Sequence, residues 1–102
     1  MLYIGVDLGT SAVKLLMMDE NGNIQKIVSK EYPLYFPYPG WSEQNPQDWF
    51  AQSMEGIKEL TSECDKSQVA GISFGGQMHG LVVLDKEDQL IRPAILWNDG
   101  RT

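Results

Sequence analysis

The chain has 102 residues, of which 42% are hydrophobic and 22% charged, and a formal charge of −6. This allows one modest core that buries roughly two-thirds of the unfolded surface, and it excludes a disordered or fibrous chain and a surface that tracks nucleic-acid phosphates. The longest apolar stretches, such as Val13 to Met18, are too short to span a bilayer, and Met1 to Val6 lacks the pattern of a signal peptide; a cytoplasmic protein with no membrane or nucleic-acid partner is expected.

Leu2 to Leu8 reads as an apolar strand entering the turn Gly9-Thr10-Ser11, and Ala12 to Met18 as a second strand leaving it. Asp19-Glu20-Asn21-Gly22 then predicts a tight turn into a third strand over Ile24 to Tyr32. From Pro33 to Gly40, alternating Pro, Tyr and Phe prevent regular structure. Asn45-Pro46-Gln47-Asp48 is a helix start, with a capping amide, Pro in the first turn and a carboxylate near the positive end.

That helix is expected to reach about Cys64, with Trp49, Phe50, Met54, Ile57, Leu60 and Cys64 on its apolar face and Glu55, Lys58, Glu59 and Glu63 outside. Val69 to Phe74 reads as a buried strand, Leu81 to Leu84 as another, and Leu90 to Trp97 as its hairpin partner across the charged turn Asp85-Lys86-Glu87-Asp88. The expected class is α/β, a single domain with β-β-β-α-β order and a following hairpin. The polar cluster after Trp97 reads as the entrance to a further element, so a portion of a longer chain is expected.

Three segments carry chemistry. In the first, Asp7 at a strand end can hold a water-coordinated Mg²⁺, while Gly9, Thr10 and Ser11 present a tight turn and two hydroxyls to phosphate oxygens. Lys14 is a further phosphate candidate, although it alternates with apolar positions and equally reads as a solvated strand residue. The turn fits neither a Walker A loop nor a dinucleotide-binding turn, and by spacing alone it is also an ordinary hairpin tip.

The second segment, Gly75-Gly76-Gln77-Met78-His79-Gly80, lets backbone approach a ligand and offers an amide, a thioether and an imidazole to a polyol. Its alternative is a glycine-rich turn whose His79 satisfies nearby backbone. In the third, Trp97 can stack on a sugar face, and Asn98, Asp99 and Arg101 offer directional hydrogen bonds; an internal Asp99–Arg101 pair is the alternative. Cys64 is the single cysteine, which excludes an internal disulfide, and His79 is the single histidine.

Taken together, Tyr3 to Ser11, Gly40-Trp41-Ser42-Glu43-Gln44-Asn45-Pro46, Gln77-Met78-His79-Gly80 and Arg92 to Arg101 resemble the carbohydrate kinases of the FGGY family, and within it the xylulokinase branch. The opening segment is shared with the wider actin-like ATPases, whereas Gln-Met-His-Gly followed by Trp-Asn-Asp-Gly-Arg is much narrower.

The resemblance implies a ribonuclease-H-like, actin-like ATPase domain with a mixed sheet, in which residues 1–102 are the N-terminal part of the kinase's N-terminal domain. It implies phosphoryl transfer from ATP to D-xylulose with Mg²⁺, Asp7 being the metal-associated, catalytic aspartate. Gly9, Thr10, Ser11 and Lys14 would lie near the ATP phosphates, and Gln77, Met78, His79, Trp97 and Asp99 at the sugar. In such kinases the base aspartate and the adenosine site lie downstream, so the fragment alone is expected to be inactive, and a homodimer of the full-length enzyme is compatible with the family. Kinases for gluconate, ribulose or glycerol, and a non-catalytic actin-like nucleotide-binding module, are the alternatives.

Overall fold

The structure, a computed structural model, describes residues 1–101. Strands β1 (Leu2–Leu8), β2 (Ala12–Asp19) and β3 (Ile24–Glu31) form an antiparallel meander, as the apolar runs and the turns between them predict. At the first turn the Gly9 N–H donates to the Ala12 carbonyl over 2.9 Å. A Cβ on Gly9 would sit 2.9 Å from that same oxygen, so the turn closes this tightly only on glycine. At the second turn the Asp19 carboxylate accepts from the backbone and amide N–H groups of Asn23 and from the Asn21 N–H, and these bonds hold its carboxyl below the usual range.

After the extended aromatic segment come a short strand β4 (Glu43–Gln44), helix α1 (Pro46–Leu60), a 3₁₀ turn at Lys66–Gln68, strand β5 (Val69–Gly76) and a short strand β6 (Ala94–Ile95). The helix starts where the sequence predicts: Asn45 accepts from the Gln47 N–H at 3.0 Å, Pro46 occupies the first turn and Asp48 follows. The chain crosses through α1 from β3 to β5, which lies parallel to β1, giving the sheet order β3-β2-β1-β5. This is the expected β-β-β-α-β order with a mixed sheet. Ile4, Val6, Val13, Leu15, Met17, Val28, Tyr32 and Leu60 form the core, with Trp49 and Ile57 packed against it. Each such aliphatic side chain contributes about 1.5–3 kcal/mol by leaving water.

Four expectations need correction. The helix stops at Leu60, not Cys64, because the Thr61 and Ser62 hydroxyls turn back onto the carbonyls of Ile57 and Glu59 and compete with further helical pairing. Phe50 and Met54 are 70% and 46% exposed rather than core-facing. With Trp49 and Leu60 toward the sheet and about 100° per residue, Phe50 and Met54 fall on the helix flank, and the buried position on the sheet-facing side is Gly56.

Strand β5 exists but is not buried. Helix α1 packs over β2 and β3, so Ile72 and Phe74 on edge strand β5 have nothing above them and are 45% and 68% exposed. Finally, Leu81–Leu84 and Leu90–Trp97 do not form a regular hairpin. They meet through single bridges, Leu84 to Leu90 and Leu81 to Ile95, and the backbone of Ala94–Ile95 pairs instead with β4, giving a separate two-stranded sheet. The radius of gyration, 15.8 Å, exceeds the ~13 Å of a compact domain of about 100 residues because the chain is elongated, with principal extents of 46 × 29 × 19 Å. Among the described residues no helix is long and apolar enough to cross a membrane.

Candidate active site

Parallel strands β1 and β5 end side by side, with Leu8 opposite Gly76. Open α/β sheets bind ligands at the carboxyl ends of such strands. The Gln77 N–H extends the pairing by donating to the Leu8 carbonyl at 2.8 Å. A Cβ on Gly76 would come within 3.0 Å of the Leu8 Cβ, so glycine is what lets the two turns approach.

Between them lies a cleft of about 410 Å³ lined by Asp7, Gly9, Thr10, Gly76, Gln77, Met78, His79 and Trp97. The phosphate-type turn and the polyol-type loop, 67 residues apart at Thr10 and Gln77, therefore share one rim. A larger concavity of about 550 Å³ lies against the bare sheet face and also touches Asp7, with Lys14. It is lined by strand backbone and mainly apolar side chains, whereas the smaller cleft gathers polar groups from several turns, and there we place the site.

A hydrogen-bonded set holds the rim. The Trp97 indole N–H donates to the Thr10 hydroxyl at 3.1 Å, and that hydroxyl donates to Gln77 Oε1 at 3.4 Å. Gln77 Nε2 donates to Gln44 Oε1 at 3.1 Å, which also receives the Trp49 indole N–H at 3.0 Å, and Gln44 Nε2 closes the circuit on the Thr10 carbonyl. Behind the turn, the buried Tyr32 hydroxyl lies against the carbonyls of Gly9 and Ala12. Burial, and secondarily the charge of Asp7, pushes its pKa up to about 12.

Ser11, Lys14 and Asp99 stand outside the cleft lining. Ser11 is exposed on the turn, and Lys14 sits opposite Asp7 in the β1–β2 register. The Asp99 carboxylate is turned inward: it accepts from the Arg101 guanidinium at 2.6 and 2.8 Å, from the Arg101 N–H and from the Ser42 N–H, and only 2% of its side chain is exposed. Those bonds, the Arg101 guanidinium foremost, hold its carboxyl well below the usual carboxylate range. Arg101 also pairs with buried Glu43, whose Oε2 it shares with Arg92, and lies 3.6 Å over the Trp41 ring. This cluster ties the Trp97 segment to the strand before the helix.

Sequence reasoning missed Gln44 and Tyr32, whose partners are remote in the chain. Their only signal was that Gln44 falls within the family-like Gly40 to Pro46 segment. His79 has a left-handed backbone, φ 59°, unusual for a residue with a side chain. Among the described residues no three His, Cys, Asp or Glu side chains cluster. A lone exposed carboxylate beside hydroxyls suits Mg²⁺, which keeps several waters and takes one or two carboxylates plus substrate phosphates, and does not suit zinc.

The model of the FGGY family of carbohydrate kinases, N-terminal domain, matches residues 2–102. A xylulose kinase of Bacillus subtilis is 52% identical over 101 residues, covering 97% of this chain and 20% of the relative. The crystal structure of a "xyloylose kinase" from Brucella ovis superposes with a TM-score of 0.94 at 45% identity over 99% of this chain and 22% of that one. A gluconate kinase structure from Lactobacillus acidophilus gives 0.91 at 39% identity over 96% and 20%. The chain thus spans about a fifth of the length of the relatives it matches. Its mixed α/β fold is that of the actin-like ATPases, and the chain belongs to the FGGY family of carbohydrate kinases, whose N-terminal domain model it matches.

Proposed function

We propose that the full-length protein transfers the γ-phosphoryl group of ATP to D-xylulose, giving D-xylulose 5-phosphate, and that this domain supplies one wall of the site. The observation that carries the reading is the shared cleft, in which Asp7, Gly9 and Thr10 face Gln77, Met78, His79 and Trp97. Phosphoryl transfer asks mainly for positioning and charge neutralisation. Asp7 would hold Mg²⁺ through its water shell, the ion supplying positive charge against the phosphates. Thr10 and Ser11 would face those phosphates, and Lys14 would add charge beside Asp7.

On the other rim, Met78 and Trp97, 67% and 55% exposed, offer apolar faces to sugar C–H groups. The His79 imidazole and the Gln77 amide would fix hydroxyls by hydrogen bonds. Asp99, committed to Arg101 and Ser42, would act on the sugar only by positioning the Trp97 segment. D-xylulose as acceptor follows the names of the Bacillus subtilis and Brucella ovis relatives. Gluconate is the second reading, favoured by the Lactobacillus acidophilus structure. A cytoplasmic location and a homodimer belong to the same reading, for fractionation and light scattering to check.

The deciding experiment measures Mg²⁺-dependent ADP release by the full-length enzyme with D-xylulose and with D-gluconate. We expect kcat/KM to favour D-xylulose by at least about 100-fold. The reverse preference would install the second reading, and no transfer to either sugar would overturn both.

A further inference from the structure

We infer that Gln44 is a positioning residue that couples the phosphate-facing turn to the sugar-facing loop, so that occupancy of one strengthens binding at the other. The inference rests on the kinase reading above and concerns a residue that lines no part of the cleft.

Gln44 is 1% exposed, and a buried amide must satisfy its N–H and C=O groups. Its orientation is not free. The Trp49 indole N–H can only donate, so it must face Gln44 Oε1, at 3.0 Å; the Thr10 carbonyl can only accept, so it must face Nε2. With Oε1 so placed, it also takes the Gln77 Nε2 proton at 3.1 Å, and that fixes the Gln77 amide with Oε1 toward Thr10. Gln44 therefore touches the main chain of the phosphate turn and the side chain of the sugar loop at once.

The anchor beneath it joins two elements. Gln44 lies in β4, paired to Ala94 of β6, one residue before the Asn45 cap of α1, and Trp49 reaches it from the first turn of that helix. A shift of the Thr10 carbonyl on phosphate binding must either carry the Gln44 amide, and Gln77 with it, or break a buried hydrogen bond. Breaking one with no replacement costs about 1–3 kcal/mol. A neutral apolar side chain at position 44 would remove this buried link and leave the 3.4 Å bond from the Thr10 hydroxyl to Gln77 as the remaining side-chain contact between the two turns.

The test uses the full-length enzyme and titration calorimetry of D-xylulose binding, with and without ADP and Mg²⁺. Allosteric couplings span about 5- to 150-fold, and we expect the wild type to show at least about 5-fold tightening of sugar by nucleotide. In Gln44→Leu that factor should fall below about 2-fold, while the affinity for each ligand alone changes by less than about 3-fold. Gln44→Glu, which sets an oxygen against the Thr10 carbonyl, should behave like Gln44→Leu. Should Gln44→Leu not fold, Trp49→Phe removes the donor that orients the amide and should lower the factor at least about twofold. Coupling that is absent from the wild type, or unchanged in these variants, overturns the inference while leaving the kinase reading standing. An equal loss of both binary affinities with the coupling intact marks a merely structural role and also overturns it. A wild type that binds neither ligand overturns the kinase reading and the inference together.

Discussion

Trp97 and Thr10, 87 residues apart, are joined by one hydrogen bond, the indole N–H donating to the threonine hydroxyl over 3.1 Å. Trp97→Phe keeps the aromatic face and removes only that bond. A net loss of about 1 kcal/mol predicts roughly a fivefold fall in kcat/KM for the sugar, measured by steady-state kinetics. Trp97→Ala should lose considerably more, because the stacking face goes too.

Asp7 is exposed at the cleft rim, so its replacement should leave the fold nearly untouched. Asp7→Asn is expected to shift Tm by no more than about 2 °C, within the range of ordinary surface substitutions. It should lower kcat by about 100-fold or more, as removal of a preorganised electrostatic group does. A Mg²⁺ titration of the remaining activity should move to higher concentration. An unchanged rate would remove Asp7 from the metal site.

Tyr32 predicts an alkaline limit. Its folded pKa, raised to about 12 from the ordinary 10.0, means that the folded state prefers the neutral phenol. The resulting stability is complete below about pH 10 and is lost as pH rises from there through about 12. Tyr32→Phe should flatten this part of the Tm–pH curve. It also frees the Gly9 and Ala12 carbonyls behind the phosphate turn, a net cost of about 1 kcal/mol.

Asp99 predicts the opposite limb. Its folded pKa is depressed, chiefly by the Arg101 guanidinium, so its contribution is present above the ordinary carboxylate range. That contribution is lost as pH falls through that range toward the folded value. In thermal melts between about pH 5 and 2, Asp99→Asn should show a lower Tm at pH 5 and a shallower acid slope than the wild type.

Gly56 tests the helix–sheet contact. A Cβ there would meet the Leu15 Cδ1 at 2.5 Å, and Leu15 is 1% exposed, so its side chain must shift within the core. Alanine in a helix ordinarily gains up to about 1 kcal/mol over glycine, but overpacking a full core costs about 1–3 kcal/mol. Gly56→Ala should therefore destabilise the full-length protein by roughly 1 kcal/mol in denaturant titration.

Much of the scaffold could be read from local chemistry. Strands β1 to β3 are largely apolar runs bounded by turn residues, and Asp19 and Asn45 close their turn and cap with bonds to residues two to four positions away. What failed depended on distant partners. Phe50 and Met54 carry an apolar signal, but the helix face is set by where Leu15 leaves space for Gly56, which carries no such signal. Val69 to Phe74 was legible as a strand, but its exposure depends on how far α1 reaches across the sheet. The cleft residues were recognisable as two separate turns, whereas Gln44, which joins them, has its decisive contacts 33 and 34 residues away. An internal Asp99–Arg101 pair was one of the two readings the sequence allowed; its further bonds to Glu43 and Ser42 depend on residues more than 50 positions away.

The rim network has an indole at each end, Trp97 at one and Trp49 at the other. Indoles give hydrogen bonds and take none, and the two glutamine amides between them do not titrate near neutrality. No proton entering at Thr10 has anywhere to go, so the network holds without conducting. In a phosphoryl transfer at this cleft, the proton leaving the acceptor hydroxyl must depart by another route, and the Thr10–Gln77–Gln44 circuit stays electrically inert throughout the reaction.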